Sequence, residues 1–122
     1  MRIYFPVSKA MLRQLSESAC LELDSLDGQQ IFGQTPYWLA GQTESDPEIL
    51  DDLILQTAAQ GPAEFVIVAE VPADPIPGVA GRVAPTGPIR SRDIAAFFAK
   101  DSAGDLSWYG PSELANLLEL GQ

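Results

Sequence analysis

Three groups of side chains in this sequence have the types and spacing that chemistry needs. Arg82, Arg90 and Arg92 gather around the segment Pro85-Thr86-Gly87-Pro88. If that segment is a hairpin turn, Arg82 falls roughly opposite Arg90, and two close guanidinium groups can grip a carboxylate or phosphate bidentately. Tyr4, Tyr37, Trp38, Trp108 and Tyr109 join an apolar body to a polar tip, which suits a ligand pocket or a protein interface. Glu44, Asp46, Glu48, Asp51 and Asp52 form an acidic group that could hold a divalent cation or supply a general acid and base. Each group also has a plainer reading, and the plainer one is preferred. The arginines can pair with the protein's own acids, the aromatics can fill the core and its rim, and the acids can cap and solvate the start of a helix.

The missing residue types exclude more than the present ones suggest. The chain has no histidine, so it has no Ser-His-Asp or Cys-His arrangement, no H-E-x-x-H site and no ordinary zinc site. Gly78-Val79-Ala80-Gly81 matches neither a phosphate-binding P-loop nor a dinucleotide fingerprint. Asp24 to Gly28 lacks the alternating oxygen ligands of a calcium loop. The single cysteine, Cys20, follows Ala19 and precedes Leu21. It reads as a buried structural thiol, since no histidine is there to activate it. No metal and no cofactor is expected.

Net charge is −10, and its distribution is uneven. No lysine or arginine occurs between Gln14 and Gly81, a stretch holding twelve of the seventeen acids. An acidic surface repels phosphate backbones and anionic lipid, so neither nucleic acid nor a membrane is an expected partner. A basic protein partner is electrostatically permitted, beside the simpler role of keeping the chain soluble and monomeric. The longest dense apolar run, Phe65 to Val71, is far shorter than the roughly 20 residues that span a bilayer. With no leader pattern at its start, the chain reads as cytoplasmic.

The elements that must position these residues follow from periodicity and punctuation. Met1 to Val7 alternates as a first strand closed by Pro6. Ser8 caps a helix running to about Ala19, with Met11, Leu12, Leu15 and Ala19 at helical spacing. Leu21 to Gln30, with Asp24, Ser25, Asp27 and Gly28, is turn-rich. Gln30 to Gly33 allows a short strand, and Thr35-Pro36 opens a helical turn ended by Gly41. The clearest helix is Asp46 to Gln60, capped by Ser45 or Asp46, with a capping-box spacing from Ser45 to Glu48 and an apolar face of Ile49, Leu50, Leu53, Ile54 and Ala58. Glu64 to Val71 is apolar on both faces, as a central strand must be.

Pro72 to Gly78 is then a loop, and Val79 to Ala84 and Ile89 to about Arg92 flank the Pro85 turn. Ile94 to Lys100 is taken as a strand in preference to a helix, because Ser102 to Asp105 then turns it back into Leu106 to Tyr109. A last helix after Gly110-Pro111-Ser112 buries Leu114, Leu117 and Leu118. The length favours one domain over residues 1–122. Its fold class is α+β, with a mainly antiparallel sheet of about five strands and three helices packed on it.

The chain as a whole resembles a small family of uncharacterised actinobacterial proteins classified as a domain of unknown function. The resemblance is carried by Met1-Arg2-Ile3-Tyr4-Phe5-Pro6, Phe32-Gly33-Gln34-Thr35-Pro36, Phe65 to Val71, Arg82-Val83-Ala84 and Trp108-Tyr109-Gly110-Pro111-Ser112-Glu113-Leu114. It implies an actinobacterial cytoplasmic protein and no particular activity.

Two functional readings from different classes remain. The first is a non-enzymatic interaction module that presents an aromatic patch to a protein partner or to a second copy of itself. The second is a small-ligand-binding or transferase-like enzyme for a nucleotide-like or anionic ligand, on a strand-and-helix order similar to ADP-ribosyl-transferase-like folds. In that case Tyr4, Arg82, Arg90, Arg92, Trp108 and Tyr109 would surround the ligand, with Glu113 as the late acid. It requires the arginines and aromatics to share one concave site.

Overall fold

The computed structural model describes residues 1–26 and 29–119. Part of the turn expected before Gln30, at Asp27 and Gly28, lies outside the described residues. The elements in chain order are β1 (Arg2–Val7), α1 (Lys9–Ser18), β2 (Cys20–Leu21), β3 (Phe32–Gly33), α2 (Pro36–Ala40) and α3 (Pro47–Ala58), followed by β4 (Phe65–Glu70), β5 (Ala73–Pro75), β6 (Val83–Pro85), β7 (Ile89–Arg90), β8 (Ile94–Lys100), β9 (Leu106–Tyr109) and α4 (Leu114–Leu118). Five strands form one antiparallel sheet in the order β3-β1-β4-β8-β9. Two small ribbons, β2-β7 and β5-β6, lie outside it. The α+β expectation and the strand reading of Ile94 to Lys100 therefore hold. Among the described residues no helix is long and apolar enough to cross a membrane.

The sheet has a core on each face, which is why β4 reads as an unbroken apolar run. Its Phe65, Ile67 and Ala69 join Ile3, Phe5, Leu12, Leu15 and Leu117 on the face covered by α1 and α4. Its Val66 and Val68 join Tyr4, Trp38, Ile54 and Ala96 on the face covered by α2 and α3. On α3, Leu50, Ile54, Leu55 and Ala58 are buried, whereas Ile49 and Leu53 of the expected apolar face stay exposed.

Several boundaries differ from the sequence reading, each for a local reason. Pro6 does not close β1; it stands in the ladder opposite Val66. Met1 and Val71 exchange both backbone hydrogen bonds, so the alternation of the ladder turns the Pro6 nitrogen away from β4. On that other side β3 pairs only with Ile3 and Tyr4, so the missing N–H costs no ladder bond.

Ala19 is not part of the buried helical stripe. It ends α1 in the left-handed region at φ 57°, donating its N–H to the Leu15 carbonyl. Of the two expected caps of α3, Asp46 is the one used, accepting the Glu48 N–H at 3.0 Å. The Pro72 to Gly78 segment contains β5, so it is not wholly loop.

The expected hairpin around Pro85 to Pro88 is absent. Its two arms pair elsewhere, β6 with β5 and β7 with β2. Arg82 consequently does not face Arg90.

Candidate functional site

The α3 face of the sheet is only partly roofed. Helix α3 lies over β1 and β3, and a cavity of about 420 Å³ opens beside it, above β4, β8 and β9. Its walls are Arg2 and Tyr4 from β1, Asp51 and Asp52 from α3, and Phe98 and Trp108 from β8 and β9. Strand alternation puts all four strand residues on this side: Tyr4 opposes Val68, and Phe98 opposes both Val66 and Trp108. A smaller hollow of about 340 Å³ shares Arg2, Tyr4 and Asp51 and adds Gln34.

Asp51 is the polar hub. Its Oδ1 accepts from Gln34 Nε2 at 2.6 Å and from the Tyr4 hydroxyl at 3.4 Å. Gln34 is placed by the Phe32-Gly33 strand pairing with β1, and Asp51 by the second turn of α3. Burial, with the Asp51 charge beside it, pushes the Tyr4 phenol up to about 12. Arg2 reaches outward instead, its Nε donating to Glu70 Oε1 at 2.8 Å. That bond, with the Glu70 charge, raises the guanidinium above its ordinary value. Both partners are about half exposed, so the pair adds little to stability. The cavity mouth therefore carries Asp51 and Asp52 against a single arginine already held by Glu70.

Trp108 is the most conspicuous wall. It is 62% exposed, and its six-membered ring leans over Gly110, where an added Cβ would lie 3.3 Å from Cη2. Tyr109 points the other way and packs, partly buried, against the core on the α1 face. Adjacent on one strand, the two residues thus divide between the faces of the sheet.

The six expected site residues are not brought to one place. Tyr4 and Trp108 share the cavity. Arg82 bridges to Phe32 at the far edge of the sheet, its guanidinium 5.4 Å from the Phe32 ring centroid and its buried Nε without a hydrogen-bond partner among the described residues. Arg90 pairs with Cys20 on the β2-β7 ribbon, whose Leu21 and Ile89 enter the α1-side core, and Arg92 is exposed just beyond it. Glu113 accepts the Gly110 N–H at 3.1 Å, turning the chain into the last helix.

The acidic group also divides. Glu44 accepts the Ser45 and Asp46 N–H groups, and these bonds hold its carboxyl below the usual range. Asp46 caps α3, while Asp51 and Asp52 turn to the cavity. Among the described residues no three of His, Cys, Asp and Glu come together as a metal site. Cys20 is half-buried rather than buried. Its Sγ lies 3.4 Å from Glu22 Oε1, and desolvation together with that neighbour pushes the thiol up.

Arg2 and Gln34 are the site residues that sequence reasoning passed over, and Asp51 was read only as one of the helix-start acids. Arg2 and Tyr4 alternate with the core-facing Ile3 and Phe5, which was a usable signal for Arg2. Nothing in the sequence pairs Gln34 with Asp51. A larger hollow of about 640 Å³, between the end of β1 and the end of α3, is lined by residues such as Ser8, Met11 and Thr57 and by no titratable side chain. It offers less to a charged ligand than the Asp51 cavity does.

The chain matches no protein-family model, no curated protein and no solved structure.

Proposed function

We propose that this chain is a non-enzymatic protein-interaction module of the actinobacterial cytoplasm, and that its contact surface is the half-roofed sheet face centred on Trp108. The observation that carries the reading is a large aromatic side chain, 62% exposed, on the last strand of the sheet beside an open cavity. Tryptophan is among the residue types that dominate protein interfaces, and Trp108 stands exposed on the wall of a concave patch. The small-ligand reading needed the three arginines and the aromatics in one site, and they occupy three different parts of the fold.

The test is site-specific photo-crosslinking in an actinobacterial lysate. A photoreactive phenylalanine analogue is placed at position 108 and, as a control, at exposed Leu23. Discrete adducts from position 108 and none from position 23 are expected, including any band at twice the chain mass. Position 108 behaving like position 23 would reject the reading.

A further inference from the structure

The two edges of the main sheet are not alike. At β3 the edge is closed: the Gly33 N–H donates to the Gly81 carbonyl at 2.9 Å and the Val83 N–H to the Ile31 carbonyl at 3.0 Å. Phe32 and Arg82 complete that closure as a bridge. At the other edge β9 has β8 on one side and no strand on the other among the described residues.

The phase of β9 is fixed by one bond. Asp101 N–H donates to the Asp105 carbonyl at 2.9 Å, so the antiparallel alternation makes Ala99–Ser107 and Phe97–Tyr109 the bonded pairs. The Lys100 N–H agrees, since it points the opposite way, to the Glu64 carbonyl. The backbone N–H and C=O groups of Leu106 and Trp108 therefore face outward, and these same two residues carry their side chains on the α3 face. A strand laid along this edge would meet the open backbone groups and the Trp108 ring together.

We infer that β9 accepts an extended basic segment of a partner protein as a sixth strand. The inference rests on the interaction-module reading and names the partner's chemistry. Asp51 and Asp52 line the cavity beside the edge, whereas the Asp101 carboxylate is taken up by the turn, accepting the Ala103 and Asp105 N–H groups. Of the nearby cations Arg2 is paired with Glu70, and Lys100, which keeps its charge, is held on the Gly61 carbonyl at 2.6 Å. A lysine or arginine on every second residue of the added strand would lie over Trp108, on the face that carries Asp51 and Asp52. A second copy paired about a two-fold axis would set the same acids against themselves. With a net charge of −10 the chain favours a cationic partner over its own copy.

The experiment follows Trp fluorescence and backbone amide exchange while a capped octapeptide of alternating lysine and threonine is added to the full chain. Quenching of Trp108, absent in W108F, is expected, with new protection of the Leu106 and Trp108 amides and none added at Ser107 or Tyr109. Methylating alternate peptide amides should weaken binding about tenfold, the loss expected when one or two backbone bonds are removed. D52N should weaken it and flatten its salt dependence, and D105N, whose side chain turns to the other face, should do so less. Equal binding of the alternating glutamate peptide, no binding of the lysine peptide, or quenching without protection at Leu106 and Trp108 would overturn the inference. A self-dimer through β9, or a non-basic protein crosslinked at position 108, would also overturn it while leaving the interaction-module reading intact.

Discussion

The Thr35 hydroxyl accepts the Gly81 backbone N–H at 3.2 Å, tying the start of α2 to the segment that closes the β3 edge. The same oxygen accepts the Trp38 N–H at 3.2 Å and so caps α2. Thr35 is 1% exposed and is the buried polar residue of the described chain. Replacing it with the isosteric Val strands two buried donors at once. Thr35→Val should lower the unfolding free energy by about 2–4 kcal/mol in urea titrations, and Thr35→Ser, which keeps the oxygen, by about 1 kcal/mol or less.

Gly81 and Gly78 make a matched pair. Both have positive φ, 75° and 78°, but a Cβ on Gly81 would lie 2.9 Å from Trp38 Cδ1, whereas one on Gly78 meets nothing within 4 Å. Gly78→Ala should therefore cost only the backbone strain, about 1 kcal/mol. Gly81→Ala adds overpacking against a buried indole and should cost about 2–4 kcal/mol. Equal losses for the two would show that Trp38 does not enforce the glycine.

Tyr4 gives the fold an alkaline limit. Its folded-state phenol is raised to about 12 by burial first and the Asp51 charge second, against a usual value of about 10. A raised folded value means full stability below pH about 10 and loss as pH climbs from about 10 to 12, where the unfolded chain ionises first. The loss should approach about 2–3 kcal/mol. Tyr4→Phe should flatten this dependence while changing stability at neutral pH by about 1 kcal/mol or less, since the bond to Asp51 is long at 3.4 Å. Chemical denaturation at stepped alkaline pH reads both effects.

Ala19 holds a left-handed cap that glycine holds without strain. Ala19→Gly leaves the N–H bond to the Leu15 carbonyl in place and should raise stability by about 1 kcal/mol. A thermal midpoint higher by about 3–5 °C checks it. A lower midpoint would mean that the unfolded-state entropy of glycine outweighs the relieved strain.

Much of the architecture was legible because local and tertiary signals agreed. The Thr35-Pro36 cap, the apolar-on-both-faces β4 and the turn at Ser102 to Asp105 all behave as their residue types require. The errors came where pairing is decided at long range. Pro85 and Pro88 signal a turn, but nothing local says that its arms pair with β5 and β2 instead of each other. The proposed arginine site depended on that turn and separated with it. Asp51 was assigned to helix-start solvation, a fair reading of Asp51-Asp52 taken alone. Only the register of β1 brings Tyr4 beneath it.

The strand order carries a kinetic consequence. β1 is made first, yet its principal partner is β4, with Ile3 set against Ala69 and Phe5 against Ile67. The chain must close that long loop before its central pairing yields any favourable contact, and the entropic cost of such loops slows folding. The one local pairing in the main sheet is the tight hairpin of β8 and β9, which can form within microseconds of synthesis. The nascent chain therefore waits past its midpoint for β4, and until its last third for β8, which covers the other side of β4. Until then β1 and β4 expose Ile3, Phe5 and the run from Phe65 to Ala69, the segments most exposed to misassembly.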